Sequence, residues 1–247
     1  LLTPRPNPDA NNPAFVGLLN KEVMCARYSL SKDTQIIETE YTAKVIDPFA
    51  PSYNTAPTMN SAVITSGRPD EVQQYHFGLV PFWAQDTKIG LKMFNARAET
   101  LLELPSFKPL MEKNRRCLVL ADGFYEWEKA GNEKLPHRFT LLNQPVFAFA
   151  GLYSYWKDKK TGEGYPSFTI ITTASNKTVG QLHNRMPVIL SKEYESLWLA
   201  NDIPMKDLTQ LLTPYPDDEM EMYRVSKEVN VARNNHAGLI APLLNSQ

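Results

Sequence analysis

Apolar and polar positions alternate with a period of two through most of the middle of the chain, and that period predicts strands. AVITS (62–66) and QYHFGLV (74–80) read as two strands joined by a turn at Gly67-Arg68-Pro69. RRCLVLADGFYEWEK (115–129) runs apolar, then polar, then aromatic, and predicts a strand that bends at Asp122-Gly123 and continues as an alternating one. HRFTLL (137–142), VFAFAGLYSYW (146–156) and SFTIITTA (167–174) follow closely, with Gly131, Pro145 and Gly162 in the loops. RVSKEVN (224–230) predicts a last strand. Helices are expected over about 32–41, capped by Ser31 with Asp33 in the first turn, and over about 177–183, 192–200 (capped by Ser191) and 205–212. Closely spaced strands without regular helix alternation favour antiparallel sheets over a doubly wound parallel sheet. The expected class is α+β and strand-rich, with sheets curved into a barrel-like core and helices at the periphery.

Residues 1–23, rich in proline and asparagine, read as a disordered or misassigned N-terminal extension, and residues 24–247 as a single domain. That length buries a full core without disulfide staples. The two cysteines, Cys25 and Cys117, make no disulfide framework, which fits a reducing compartment. The lead-in lacks the apolar segment of a secretory signal, and no apolar run is long enough to span a bilayer, so a cytoplasmic protein is expected, nucleoid-associated if bacterial and nuclear if eukaryotic; a monomer is expected as well. A net charge of −1 argues against a protein that coats nucleic acid with a basic face. It leaves room for a small phosphate site built from a few arginines.

Motifs for nucleotide phosphates, dinucleotides, zinc proteases and serine hydrolases are absent, and the four histidines lack metal-ligand spacing. No metal or cofactor is expected. The polar residues that stand out lie in four patches: Cys25-Ala26-Arg27-Tyr28, Asn95 to Thr100, Asp122 to Trp127, and His183 to Pro187 after Thr172 and Thr173. Singly, each has an ordinary structural reading. Cys25 reads as a small buried residue and Asn95 as the cap of a following helix. Glu126, between Tyr125 and Trp127, points by alternation either to solvent or to the opposite face, and a solvent-facing acid is the commoner outcome. His183 complements a helix end, and Arg97 and Arg185 form surface ion pairs worth little.

Taken in order, MCARYSL, YNTAP (53–57), FGLVPFW (77–83), FNARAET (94–100), LADGFYEW (120–127), FAFAGLY (147–153), TTASN (172–176), HNRMPVIL (183–190) and VSKEVN (225–230) resemble the SRAP family, the SOS response-associated peptidases. The resemblance covers about residues 24–244. It implies a sensor of abasic sites in single-stranded DNA, whose cysteine becomes the first residue and links covalently to the ring-opened sugar. A terminal cysteine has a free amine, with a pKa of about 7.7–8.0, that condenses with an aldehyde; the thiol then closes a thiazolidine. An internal cysteine has an amide nitrogen whose lone pair is delocalised. Carried onto this chain, the resemblance makes Cys25 the nucleophile, Asn95 the positioning amide, Glu126 the proton shuttle and His183 the group that contacts the opened sugar. It implies DNA contacts from Arg27, Asn54, Arg97, Arg185 and Thr172 (with Thr173 as the neighbouring alternative), and from Trp83 as a base wedge. Lyase-like and autoproteolytic activities come with the family. The alternatives are a thiol peptidase using Cys25 and His183, and a non-covalent reader of single-stranded or modified DNA.

Two departures stand out. The glycine usual after the family cysteine is Ala26 here, and residues 1–24 precede Cys25. The expectation is that Met24 is the true initiator and that its removal exposes Cys25; cleavage before Cys25 is the other route to the same terminus.

Overall fold

The computed structural model describes residues 26–243. Among them, fourteen strands run in chain order: β1 Tyr28–Leu30, β2 Lys44–Val45, β3 Ser52–Thr55, β4 Asn60–Thr65, β5 Arg68–Phe77, β6 Asn95–Arg97, β7 Arg116–Ala121, β8 Gly123–Ala130, β9 Glu133–Leu141, β10 Phe147–Lys157, β11 Gly164–Ala174, β12 Arg185–Pro187, β13 Ile189–Leu190 and β14 Met220–Arg224. Strands β4, β5, β11, β10 and β7 pair in a closed ring, since β7 pairs back to β4. All but the parallel β5–β11 contact are antiparallel, and closure leaves this ring no open edge. A second sheet, in the order β14-β9-β8-β1-β3, lies beside it. The strand-rich α+β class with a barrel-like core is therefore what the chain adopts.

The alternating patterns explain the barrel. Along β7 and β10 nearly every residue is buried, because one face fills the ring and the other packs on a neighbouring layer. One layer holds Tyr28, Phe77, Phe124, Phe139, Phe147, Phe149 and Phe168. Phe77 stacks on Phe168 at 5.1 Å, and Phe124 on Phe139 at 4.9 Å. Short helices such as Lys192–Leu199 cover the outside, with Trp198 buried against the barrel.

Several element boundaries differ from expectation, each for a local reason. The first helix spans Thr34–Tyr41 and is capped by Asp33, whose carboxylate accepts from the Ile36 amide; Ser31 is bonded to Asp122 instead. The strand expected at 74–80 starts at Arg68 and stops at Phe77, because Gly78 takes φ +126°. The 115–129 segment bends at Asp122 as expected, and its two halves join different sheets. Ser191 stands at the start of the Lys192–Leu199 helix, but its hydroxyl makes no capping bond. The helix expected over 177–183 is a single turn, Lys177–Gly180. The expected strand at 224–230 is misplaced. The strand is Met220–Arg224, and Lys227–Asn230 is a 3-10 turn capped by Ser226.

Candidate active site

One wall of the site is the inner face of the second sheet. Antiparallel register sets Tyr28 opposite Phe124, Phe124 opposite Phe139 and Phe139 opposite Met222, a continuous apolar row. The next row is polar, with Glu126 opposite His137 and His137 opposite Arg224. The bond from the Tyr125 amide to the Arg27 carbonyl continues the β1–β8 register toward Ala26 and Glu126. Glu126 is only 3% exposed. Alternation points it inward, so the reading of it as a solvent-facing acid is overturned.

A buried carboxylate fixes β1 against this wall. Asp122 accepts from Ser29 Oγ (2.6 Å), the Ser31 amide (2.6 Å), Ser31 Oγ (2.5 Å) and Arg138 Nη2 (2.8 Å). Arg138 reaches it across Gly123, where an added Cβ would lie 2.6 Å from the guanidinium. The Arg138–Asp122 pair is almost entirely buried, and its attraction is strong only because further hydrogen bonds complete it.

Arg27 and Asn54, expected as DNA contacts, sit inside the protein, at 2% and 1% exposure. Arg27 Nε donates to Asn54 Oδ1 at 3.0 Å, and Nη2 donates to the Val229 carbonyl. Asn54 Nδ2 lies within 3.2 Å of the carbonyls of Val229, Val231 and Asn234. Burial pushes the Arg27 guanidinium down to about 10, partly countered by Tyr125. In this arrangement the two residues clamp the 229–234 segment onto β1 and β3.

The barrel, which shares the apolar layer of Tyr28, Phe124 and Phe139 through Ile170 and Met186, carries the other expected site residues and is taken as the second wall. Strand β6 lies parallel to β11, with Asn95 beside Ile170 and Arg97 beside Thr172, and β12 sets Arg185 beside Ala174. Asn95 was read as a helix cap and is instead the first residue of this short strand. Its Nδ2 donates to the Ile170 carbonyl at 3.5 Å, while its Oδ1 is buried with no hydrogen-bond partner among the described residues. An unmet buried acceptor costs about 1–3 kcal/mol, so a donor arriving there is well received.

Arg185 holds Glu99 bidentately at 2.5 and 2.9 Å and donates to the Thr172 carbonyl at 2.7 Å and to Thr172 Oγ1 at 3.3 Å. The hydrogen bond from Arg185 holds the Glu99 carboxyl below its ordinary range. Thr172 is fully buried and Thr173 nearly so. Arg97 is exposed. His183 Nδ1 lies 3.1 Å from the Arg185 amide nitrogen, and in the tautomer that accepts from it the ring proton stands on Nε2. The same Nδ1 lies 3.2 Å from the Arg185 carbonyl.

Trp83 and Phe82 are exposed at 47% and 60% on the loop after β5. That loop is held by close backbone contact: a Cβ on Gly78 would lie 2.6 Å from the Gly90 carbonyl oxygen. The Trp156 indole also donates to the Ala84 carbonyl at 2.8 Å. A stacking surface is thus presented on a fixed mount.

Cys25, the expected nucleophile, lies outside the described residues. Cys117 sits in the barrel wall, and burial pushes its thiol well above the ordinary range, so it is inert. Sequence reasoning missed Asp122 as the anchor of β1, Glu99 as the partner of Arg185, and His137 as the neighbour of Glu126. The last was readable: a two-residue Gly131-Asn132 turn joins β8 to β9 and fixes the register that pairs 126 with 137. Among the described residues no group of three or more histidines, cysteines and acids could hold a metal ion. No helix among them is long and apolar enough to cross a membrane.

The family described as SOS response associated peptidase (SRAP) matches residues 24–232. This chain belongs to the SRAP family. It is 43% identical over 226 residues to the Bacillus subtilis "Abasic site processing protein YoaM", covering 88% of this chain and 97% of the relative. It is 32% identical over 232 residues to the Xenopus tropicalis "Abasic site processing protein HMCES", covering 81% of this chain and 69% of that one. A crystal structure of a Bacteroides thetaiotaomicron protein superposes with a TM-score of 0.82 at 30% identity, covering 89% of this chain and 100% of that one. The SRAP match takes in both walls, from Arg27 through Asn230.

Proposed function

We propose that this SRAP protein processes abasic sites in single-stranded DNA by capturing the ring-opened sugar as a thiazolidine on Cys25, once Cys25 is the chain's first residue. The observation that carries the reading is the unmet Oδ1 of Asn95, a residue paired with Ile170 of the aromatic layer that Phe124, two residues before Glu126, joins from the other sheet. An amine or hydroxyl donor completes Asn95, and a buried carboxyl beside the strand that leads to Cys25 supplies the proton chemistry.

The free amine attacks the aldehyde carbon, and proton transfer gives a carbinolamine. Glu126, as the acid, protonates the departing hydroxyl, which leaves as water; the nitrogen lone pair forms the iminium. The thiol sulfur adds to the iminium carbon, its proton passes to the Glu126 carboxylate, and the ring closes. His183, with Nε2–H free of its bond to the Arg185 backbone, donates to the opened sugar. Arg97, on the exposed edge of β6, takes a flanking phosphate, and Trp83 stacks on a base. Arg185 and Thr172 shape the phosphate pocket through their mutual bonds. Arg27 and Asn54 act from within by holding β1. The reverse sequence releases the sugar, and autoproteolysis before Cys25 is one route to the required terminus.

The test uses the protein starting at Cys25 and single-stranded DNA carrying one abasic site. A heat-stable adduct on a denaturing gel is expected, absent in Cys25→Ala while weak binding is kept. An adduct that persists in Cys25→Ala, or an equal yield when residues 1–24 are retained by intact mass, sinks the reading.

A further inference from the structure

We propose that His137 is a positioning and proton-relay residue that connects the buried Glu126 carboxyl to solvent; this rests on the proposed role of Glu126. The polar row on the inner face of the second sheet carries it. His137 is 7% exposed and directly opposite Glu126 on the neighbouring strand. Directly opposed residues of an antiparallel pair share a face, with Cβ atoms about 4.5–5.5 Å apart. His137 Nδ1 lies 3.2 Å from the Leu135 carbonyl and donates to it, so Nε2 is the nitrogen left to carry a proton. Nε2 lies 3.7 Å from Glu128 Oε2, and the Glu128 side chain is 46% exposed. A buried acid, an imidazole and a wetted carboxylate therefore follow one another along one face.

The remaining charges around His137 are accounted for. Arg224 lies opposite it on β14 and is exposed. Lys227, on the 3-10 turn packed against β9, is engaged by Glu133 at 2.9 Å.

The proton count closes over one capture, because the thiol releases one proton for the one Glu126 gives up, and the relay serves the interval between those two steps. Loss of the hydroxyl as water leaves Glu126 as a carboxylate. The His137 imidazolium gives it the Nε2 proton, and the neutral imidazole takes one from solvent beside Glu128. When sulfur adds to the iminium, His137 returns its proton to solvent and takes the one that Glu126 holds, and Glu126 accepts the thiol proton. One proton enters and one departs in each capture, and no other reactant is consumed.

Two measurements on His137→Gln test this. In the first, the Glu126 carboxyl of the full chain is titrated by carbon NMR, without DNA. Removing the imidazolium removes an opposite charge, so the Glu126 midpoint moves up in the variant; an unchanged midpoint overturns the proposal. In the second, adduct formation by the protein starting at Cys25 is timed in dilute buffer and then with added imidazole. The variant is expected to be roughly tenfold to a hundredfold slower and to recover with imidazole, while the parent protein ignores it. A slow variant that imidazole does not rescue marks His137 as merely structural and overturns the relay. The NMR shift needs no crosslink, so failure of the parent protein to capture DNA counts against the abasic-site reading alone.

Discussion

The two walls of the site are built on opposite rules. On the wall made by β1, β8 and β9, the charged and amide side chains that anchor β1 are fully engaged, although the buried Tyr28 hydroxyl has no hydrogen-bond partner among the described residues. Asp122 has four donors on its two oxygens, and Asn54 spends its amide on three carbonyls and the Arg27 guanidinium. On the wall made by β6, β11 and β12, Asn95 keeps a buried acceptor unmet and Arg97 stays in solvent. A saturated network rigidifies what it touches, whereas an unmet group is a cost that substrate binding removes. The first wall holds the strand that leads to Cys25, and the second is left for the DNA to complete.

The contrast makes opposite predictions for stability on the two walls. The largest effect is expected for Asp122→Ala. It strands the Arg138 guanidinium, 6% exposed, without its carboxylate. Breaking a buried pair from one side costs about 3–5 kcal/mol, read as a lower midpoint in urea unfolding. A loss under about 1 kcal/mol, typical of a surface pair, breaks the comparison. Asn54→Ala comes next, at about 1–3 kcal/mol, because three carbonyls lose a donor and Arg27 loses an acceptor.

Asn95→Ala should behave the other way. It deletes an unmet acceptor and one long bond to the Ile170 carbonyl, so unfolding in urea is expected to change by less than about 1 kcal/mol in either direction. Adduct formation with abasic DNA should nonetheless fall by about tenfold or more, the worth of a hydrogen bond made only with the reacting groups. If Asn95→Ala destabilises as much as Asn54→Ala, the walls are not different in kind.

The sequence reveals one wall better than the other. Apolar runs and alternation mark β7 to β11, because β7, β10 and β11 are buried on both faces in the barrel and β8 and β9 bury residues of the second sheet beside it. It does not mark β6. Asn95-Ala96-Arg97 has helix-cap chemistry and helix-forming neighbours, but backbone pairing with β11 overrides local preference. RVSKEVN looks like a strand, yet Val225 and Val229 are four apart and both bury in one small cluster with Tyr125 and Leu239, the spacing of a turn. The burial of Arg27 was not legible. Its partners lie 27 and 202 positions away, and no local pattern reports them. Glu126 shows the middle case: alternation left its face open, and the Gly131-Asn132 turn fixes only its partner strand.

The smallest effect is expected at the edge of the second wall, where Arg185 grips Glu99. The Glu99 carboxyl is held below its ordinary value, first by the Arg185 hydrogen bond, with burial opposing. A carboxyl whose folded pKa is depressed adds stability that is present above its unfolded value and is lost as pH falls through the folded one. The parent protein should therefore exceed Glu99→Gln in stability by a constant amount at neutral pH, with the gap closing on acidification below the usual carboxylate range. The Glu99 side chain is 53% exposed, so solvent screens the pair and the gap is expected to stay under about 1 kcal/mol. Function should respond in the opposite sense. Without its carboxylate partner, Arg185 presents an uncompensated charge beside exposed Arg97, and the salt dependence of DNA binding should steepen by about one unit of slope per added phosphate contact. Glu99→Gln binding curves at several salt concentrations with undamaged single-stranded DNA read this directly. An unchanged slope means that Arg185 is a structural clamp, as Arg27 is on the other wall.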